Sequence, residues 1–380
     1  MRGAGPDGGR GVKILEIANV DFSLRQFVLP LMRAMRAAGH EVIGVSADGP
    51  LLADIRAEGF RVIPVPFARS TSPRAHLAAF RALVRLMRAE RPDLVHAHMP
   101  ISGFLARAAA RATGVPRVAY TCHGFLFKQE GSRKRRVTAF VMEWLGGRLT
   151  DIFLTVSVAE AAEARRRGIA RGAVAVGNGR DPARFRPDPD ARARLRAALG
   201  TPEDRPVILA VSRLVRTKGY PELAAAMRMV PAAELWVVGE RLASDPGPDM
   251  NALLDAAGLG PRLRRLGYRA DMPAVMAAAD IFTLPSYFEG LPVSIIEAML
   301  CGLPVVASDI PGPREQVVPE ETGLLVPAHD ARALAAALTR LIAEPDTRAR
   351  MGAAGRVRAE AQFDERKIIA RTLDLLGLRG

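Results

Sequence analysis

The sequence predicts an α/β protein built from two doubly wound parallel sheets. Short apolar runs alternate with amphipathic helical stretches along the chain, the pattern of parallel strands joined by crossover helices. At 380 residues the chain has room for two domains of ordinary size, each able to bury its own core. The stretch from Asp280 to Asp309, DIFTLPSYFEGLPVSIIEAMLCGLPVVASD, reads as one complete strand–loop–helix–strand unit. No segment repeats with a period of roughly 20–50 residues, which argues against a solenoid.

In the first half, Val12–Ala18 (VKILEIA) reads as a buried strand, followed by a helix from about Leu24 to Ala38 and a stop at Gly39. The alternation continues with strand Val42–Ser46, helix Leu51–Glu58, strand Phe60–Pro66, helix Arg74–Glu90 and strand Asp93–His98. Helix Ile101–Thr113, strand Arg117–His123, helix Arg133–Leu149, strand Asp151–Ser157, helix Ala159–Arg167 and strand Ala173–Gly177 complete it. The first strand-to-helix turn, Asn19–Ser23, lacks the G-x-G-x-x-G of a dinucleotide fold, which weighs against a nicotinamide or flavin enzyme. Asp21 or Ser23 is expected to cap the helix. His96 and His98 flank Ala97 and so face one side of the sheet. They could hold a metal as a pair, but the sequence shows no third ligand nearby, so lining or local hydrogen bonding is expected. His123 stands at the carboxyl end of its strand, where a side chain can reach a ligand. Its neighbour Cys122 points to the opposite face and cannot pair with it as a nucleophile.

The second half opens with strand Arg205–Ser212, running into Arg213-Leu-Val-Arg-Thr-Lys218-Gly219 and a helix from Pro221. Two cations five residues apart in such a loop suit a diphosphate, Arg213 offering a fork and Lys218 a point charge. Strands Ala233–Gly239 and Arg262–Tyr268 follow. In the unit from Asp280, strand Asp280–Leu284 leads through Tyr287, Phe288 and Glu289 to a helix at Val293–Cys301 and a strand at Pro304–Ala307. Ligands bind at the carboxyl ends of such strands. Glu289 lies in that loop, and Glu297 is placed on the first helical turn. The helix start offers the amides of Gly290, Leu291, Val293 and Ser294 to a phosphate, Pro292 having none to give. Hydroxyls at both ends and a diphosphate between them describe a nucleotide sugar. A plainer reading stands beside it: Ser294-Ile-Ile-Glu297 fits a capping box, and Glu289 a solvated loop acid. Strand Thr322–Val326 and helices from Ala331, Pro345 and Asp364 end the chain. Asp188-Pro-Asp190 has the D-x-D form of a metal site, but with no strand before it is read as a linker.

Glu289 and Glu297, eight positions apart in an E-G-L-P…E-A-M…G-L-P-V-V frame, resemble the donor-site signature of family 4 glycosyltransferases. The S-R-L…K-G element at Ser212–Gly219, the histidine before a glycine at His123 and the Gly177-Asn-Gly-Arg-Asp181 loop are similar to further motifs of that family. The resemblance runs from Val12 to the end of the chain. It implies a GT-B architecture, two Rossmann-like domains facing across a cleft. Residues 1–185, joined by the C-terminal helix 364–380, would form the acceptor-side domain, and 186–363 the nucleotide-sugar domain. It also implies a retaining, metal-independent transferase without cofactor, in which His123 and Glu289 contact the transferred sugar. Glu297 would hold the ribose, Arg213 and Lys218 the phosphates, and backbone around Tyr268 and Arg269 the base, with a UDP-sugar favoured. Two departures stand out: the Gly-Gly pair common in the first loop is missing at Asn19–Ser23, and Arg180 replaces an apolar residue.

Composition narrows the partners. Hydrophobic residues at 49% and charged residues at 25% fit a soluble globular protein. No apolar run reaches the roughly 18 residues of a membrane span. The glycine-rich start MRGAGPDGGRGVK lacks an apolar core and is read as a loose tail, not a signal peptide. Two cysteines form no disulfide framework, which fits a reducing cytoplasm. The net charge of +14 sits in residues 1–185, with 29 Lys and Arg against 15 Asp and Glu, so one domain meets an anionic surface. Arg133-Lys134-Arg135-Arg136 leads into a helix carrying Phe140, Val141 and Trp144. That pattern fits either a headgroup contact on an anionic leaflet or a solvated helix start with its aromatics in the core. The first half looks most like bacterial enzymes that extend lipid-linked or surface polysaccharides. The expected partners are a nucleotide-sugar donor, a lipid-linked or polysaccharide acceptor and the inner face of the plasma membrane, with no nucleic acid. A nucleotide-sugar epimerase of the same fold and a basic nucleic-acid-binding protein are the alternatives, the second lacking any zinc or helix-turn-helix signature.

Overall fold

The computed structural model describes residues 11–67, 72–241, 245 and 247–379. Residues 1–10, which include most of the expected loose tail, lie outside the described residues. The chain divides into two compact units, one holding the residues up to Gly177 together with those from Ile369, the other Asn178–Ile368.

In the first unit, seven strands follow the order β3-β2-β1-β4-β5-β6-β7, every neighbouring pair parallel. They are β1 (Lys13–Ile17), β2 (Glu41–Ser46), β3 (Arg61–Pro64), β4 (Leu94–His98), β5 (Arg117–Cys122), β6 (Ile152–Thr155) and β7 (Val174–Ala175). Helices cover both faces, so the strands read as near-continuous apolar runs and not as alternating ones. Leu15, Val95 and Val118 pack on one face with Leu83 and Ala106 of the helices Pro73–Glu90 and Pro100–Thr113. On the other face Ile14 and Leu94 meet Leu24, Met32 and, from the C-terminal helix Glu365–Leu376, Leu373 and Leu376. Each fully buried Leu, Ile, Val or Met among them contributes about 1.5–3 kcal/mol over leaving it in water. The order reverses between β1 and β4, and there Glu16 lies opposite His96, while His98 lies opposite Thr121 on β5.

The second unit has six parallel strands in the order β10-β9-β8-β11-β12-β13. These are β8 (Val207–Val211), β9 (Glu234–Val238), β10 (Leu263–Gly267), β11 (Ile281–Leu284), β12 (Val305–Ser308) and β13 (Gly323–Val326). The reversal falls between β8 and β11, so the loops leaving these two strands share one crevice.

Four local expectations are corrected. The first helix begins at Asp21, and Leu24–Val28 forms a π-helical turn before Leu29–Ala37. Pro30 has no N–H to offer the preceding turn, and the widened turn accommodates this. Neither Asp21 nor Ser23 caps it: Val20 holds the cap position, and Asp21 accepts from the amides of Phe22 (2.7 Å) and Leu51 (3.1 Å). The boundary falls after Gly177, not at 185, because Arg180 exchanges backbone hydrogen bonds with Phe363 (3.0 Å) and Glu365 (3.1 Å). Asp188-Pro-Asp190 is a helix start and not a linker: Asp188 accepts from the Ala191 amide (2.8 Å) and caps the helix Pro189–Leu199.

Candidate active site

In the second unit the loop after β8 and the loop after β11 are fastened together. Tyr287 donates its amide to the Thr217 carbonyl (2.9 Å) and its hydroxyl to Glu222 (2.5 Å). Gly219 closes the first loop in the left-handed region at φ 75°, and a Cβ there would meet the Pro285 carbonyl at 1.9 Å. Only glycine fits so close a crossing. This contact brings Lys218 Nζ to 2.6 Å from Glu289 Oε1, both side chains largely buried. A cation and a carboxylate side by side suit a ligand in which a diphosphate adjoins a hydroxyl-rich group.

The helix after Glu289 spans Val293–Leu300, with Pro292 at its cap position and no side-chain cap. Ser294 is therefore the second helical residue, and the capping-box reading fails. Glu297 lies at the fifth helical position, on the second turn, one turn later than expected. Its Oε1 accepts from Arg180 Nε at 2.8 Å, and Asn178 Nδ2 donates to the Leu291 carbonyl at 2.7 Å. Asn178 and Arg180 thus hold this helix start from within the same unit. The amides of Val293 and Ser294 open the helix and have no acceptor within it. Gly290 and Leu291 precede them. A Cβ on Gly312 would meet the Gly290 carbonyl at 2.4 Å, so the Pro311–Pro313 turn presses against this loop.

Arg213 pairs with Asp245. The Tyr268 amide, expected to face a base, donates to Glu240 Oε1 at 3.2 Å, and Arg269 binds Asp271 through two contacts of 2.7 and 2.5 Å. Leu214, Gly239, Glu240, Arg241 and Gly267 line an open cavity of about 390 Å³ beside them.

In the first unit His123 does not stand alone. Its Nε2 lies 3.1 Å from His98 Nδ1, His98 Nε2 lies 2.8 Å from Glu16, and Glu16 also meets His96 Nδ1 at 2.8 Å. Thr121 Oγ1 completes the row, 2.8 Å from His96 Nε2. Glu16, His96 and His98 bring ligand atoms within 4.8 Å of one another, so the third group missing near the histidine pair is Glu16 of β1. The ring nitrogens of both histidines are engaged in the hydrogen bonds just described. Burial pushes the Glu16 carboxyl up, but His96 and His98 overcome it and hold its pKa at about 2. Burial also pushes the Cys122 thiol well up, so it is no nucleophile.

The two halves match two family descriptions: "Glycosyl transferase 4-like domain" over residues 24–179 and "Glycosyl transferases group 1" over residues 191–358. A UDP-Gal:alpha-D-GlcNAc-diphosphoundecaprenol alpha-1,3-galactosyltransferase of Escherichia coli is 31% identical over 316 residues, 77% of this chain and 78% of that protein. The chain belongs to the family 4 glycosyltransferases. A GDP-mannose-dependent alpha-(1-6)-phosphatidylinositol monomannoside mannosyltransferase of Mycobacterium tuberculosis is 32% identical over 283 residues, 70% of this chain and 71% of that one. A sucrose-phosphate synthase structure from Thermosynechococcus elongatus superposes with a TM-score of 0.81 at 26% identity, covering 96% of this chain and 98% of that one.

The basic segment of this glycosyltransferase opens the helix Arg133–Arg148, where Ser132 caps and accepts from the Arg135 amide at 3.2 Å. Arg133, Lys134, Arg135 and Arg136 are exposed, and Arg136 Nε is tied to the Phe127 carbonyl at 3.1 Å. Phe140 turns inward against Phe127, as the core reading expected, but Trp144 is exposed beneath Arg148. Val137, Val141 and Leu145 are also exposed, and their spacing puts them on one helix face with Trp144. Among the described residues no helix is long and apolar enough to cross a membrane.

Sequence reasoning missed Glu16, Asn178 and the partnership of Arg180 with Glu297. Glu16 carried a signal: a carboxylate inside the apolar run VKILEIA is rarely fully buried without a partner.

Proposed function

We propose that this glycosyltransferase moves a sugar from a nucleoside diphosphate sugar to a hydroxyl of a lipid-linked or polysaccharide acceptor, with retention at the anomeric carbon. The observation that supports the reading is the Lys218–Glu289 pair, a cation and a carboxylate 2.6 Å apart, the carboxylate in the loop that precedes the helix Val293–Leu300. As the bond from the anomeric carbon to phosphate breaks, its electron pair leaves on the diphosphate. Lys218, Arg213 and the amides of Gly290, Leu291, Val293 and Ser294 stabilise that charge, without a metal. The acceptor oxygen bonds to the anomeric carbon on the face the diphosphate leaves, and the acceptor proton passes to a departing phosphate oxygen. Glu289 and His123 hold hydroxyls of the sugar, and Glu297 holds the ribose. UDP is the favoured carrier on the likeness to the galactosyltransferase, and the mannosyltransferase relative makes GDP the alternative.

The basic, apolar face of the helix Arg133–Arg148 supports docking at the inner leaflet, where a lipid-linked acceptor lies. Each exposed cation near an anionic surface contributes about 1 kcal/mol. The test is transfer of a radiolabelled sugar from UDP- and GDP-sugars to an isoprenoid-diphosphate acceptor in anionic vesicles. Lipid-extractable product is expected with one carrier. Replacing Arg133, Lys134 and Arg135 by glutamine should lower vesicle binding about 10²-fold, and raised salt should mimic it. Equal binding of wild type to neutral vesicles would contradict the membrane assignment.

A further inference from the structure

Thr121, His96, Glu16, His98 and His123 form an unbroken row of hydrogen bonds at the carboxyl ends of β1, β4 and β5. An ionised carboxylate only accepts, so the two ring nitrogens facing Glu16, His96 Nδ1 and His98 Nε2, both carry protons. A neutral His98 then has a lone pair on Nδ1, and the contact with His123 closes only if His123 donates from Nε2. That leaves His123 Nδ1 unprotonated. We propose that Glu16 is a positioning residue: acting through His98, it fixes the tautomer of His123 and presents Nδ1 as an acceptor for a hydroxyl of the transferred sugar. This rests on the reading of His123 given above.

The charge states agree with this polarity. Burial, with His96 beside it, holds the pKa of His98 below its ordinary value against the pull of Glu16. Burial, with His98 and His96 nearby, lowers that of His123 to about 3. Both rings therefore stay neutral near pH 7. A protonated His98 would donate from both nitrogens and turn His123 into a donor. Glu16 and His98 are fully or almost fully buried, so solvent does not compete for their hydrogen bonds. A neutral imidazole free of such partners exchanges between two tautomers, and a site that must accept from one hydroxyl gains by removing the second.

Nitrogen-15 spectra of histidine-labelled full-length protein test this. In the wild type, His123 should show one tautomer, protonated at Nε2 and bare at Nδ1. Glu16→Gln places an amide that can donate as well as accept, so His123 should acquire a second form protonated at Nδ1. Thr121→Val, which removes only the far end of the row, should leave His123 as in the wild type. A monofluoro donor analogue accepts but cannot donate at its altered position. For one position, transfer should fall about tenfold on the wild type and less on Glu16→Gln.

A proton on His123 Nδ1 in the wild type would overturn the proposal, as would an unchanged His123 in Glu16→Gln. So would a stoichiometric metal that co-purifies and is lost with Glu16→Gln. If His123→Ala transfers normally while the spectra behave as stated, the sugar-binding reading of His123 fails and the tautomer relay stands.

Discussion

Replacing Lys218 by alanine lowers kcat for glycosyl transfer by about 10²–10³-fold, with a smaller change in KM for the donor. The magnitude is that of removing one preorganised charge donor from a site where negative charge develops as the bond breaks. Lys218 is held by the loop that Gly219 closes, and its ammonium lies 2.6 Å from Glu289. Lys218→Arg keeps the charge but changes a compact ammonium for a wide planar fork, and recovers only part of the rate. Glu289→Ala also loses activity. The double variant loses less than the two single losses combined, since each alone leaves a largely buried partner unpaired. Steady-state kinetics on the four proteins read this directly, and an unchanged kcat in Lys218→Ala would remove Lys218 from the leaving-group role.

Glu143→Ala destabilises the first unit by about 3–5 kcal/mol, the cost of stranding a buried charge. Arg107 and Glu143 are both fully buried, 3.3 Å apart, and Tyr120 donates its hydroxyl to Glu143 at 3.1 Å. The guanidinium also lies 3.7 Å from the centre of the Tyr120 ring, and a Cβ on Gly146 would meet it at 2.6 Å. Burial raises the Glu143 pKa, with the Arg107 charge and the Tyr120 hydroxyl opposing. Alanine leaves the Arg107 charge, among the described residues, the Gly103 carbonyl and the Thr150 hydroxyl as acceptors beside the Tyr120 ring. The melting temperature of this unit falls by roughly 6–20 °C, at about 2–4 °C per kcal/mol for its size. Arg107→Met with Glu143→Leu recovers most of the loss. The cluster joins the helix Arg133–Arg148 to β5, three residues before His123, so Glu143→Ala weakens transfer even below its melting point.

The fold was legible because parallel strands covered on both faces must be apolar throughout, and runs such as VILAV and VVAS leave little choice. The placement of Lys218, Glu289 and His123 in loops beyond strand ends was legible too: His123 follows β5 at once, and Glu289 and Lys218 lie five and seven residues beyond β11 and β8. What escaped the sequence depends on contacts distant in the chain. Arg180 meets Glu297 across 117 residues, and Glu16 meets His98 across 82. The false capping box at Ser294 arose because Pro292 takes the cap position, moving Ser294 inside the helix. Pro30 likewise turned a plain helix into one with a π turn, a local cost that apolar spacing does not register.

Calorimetric titration with UDP, GDP and ADP, on the wild type and on Glu297→Ala without added metal, tests the central claim most directly. One nucleotide should bind the wild type. Glu297→Ala should weaken it about 10–100-fold, the worth of charge-assisted hydrogen bonds to the ribose. Absence of binding by all three, or full affinity in Glu297→Ala, would contradict the assignment of this helix start as the donor site.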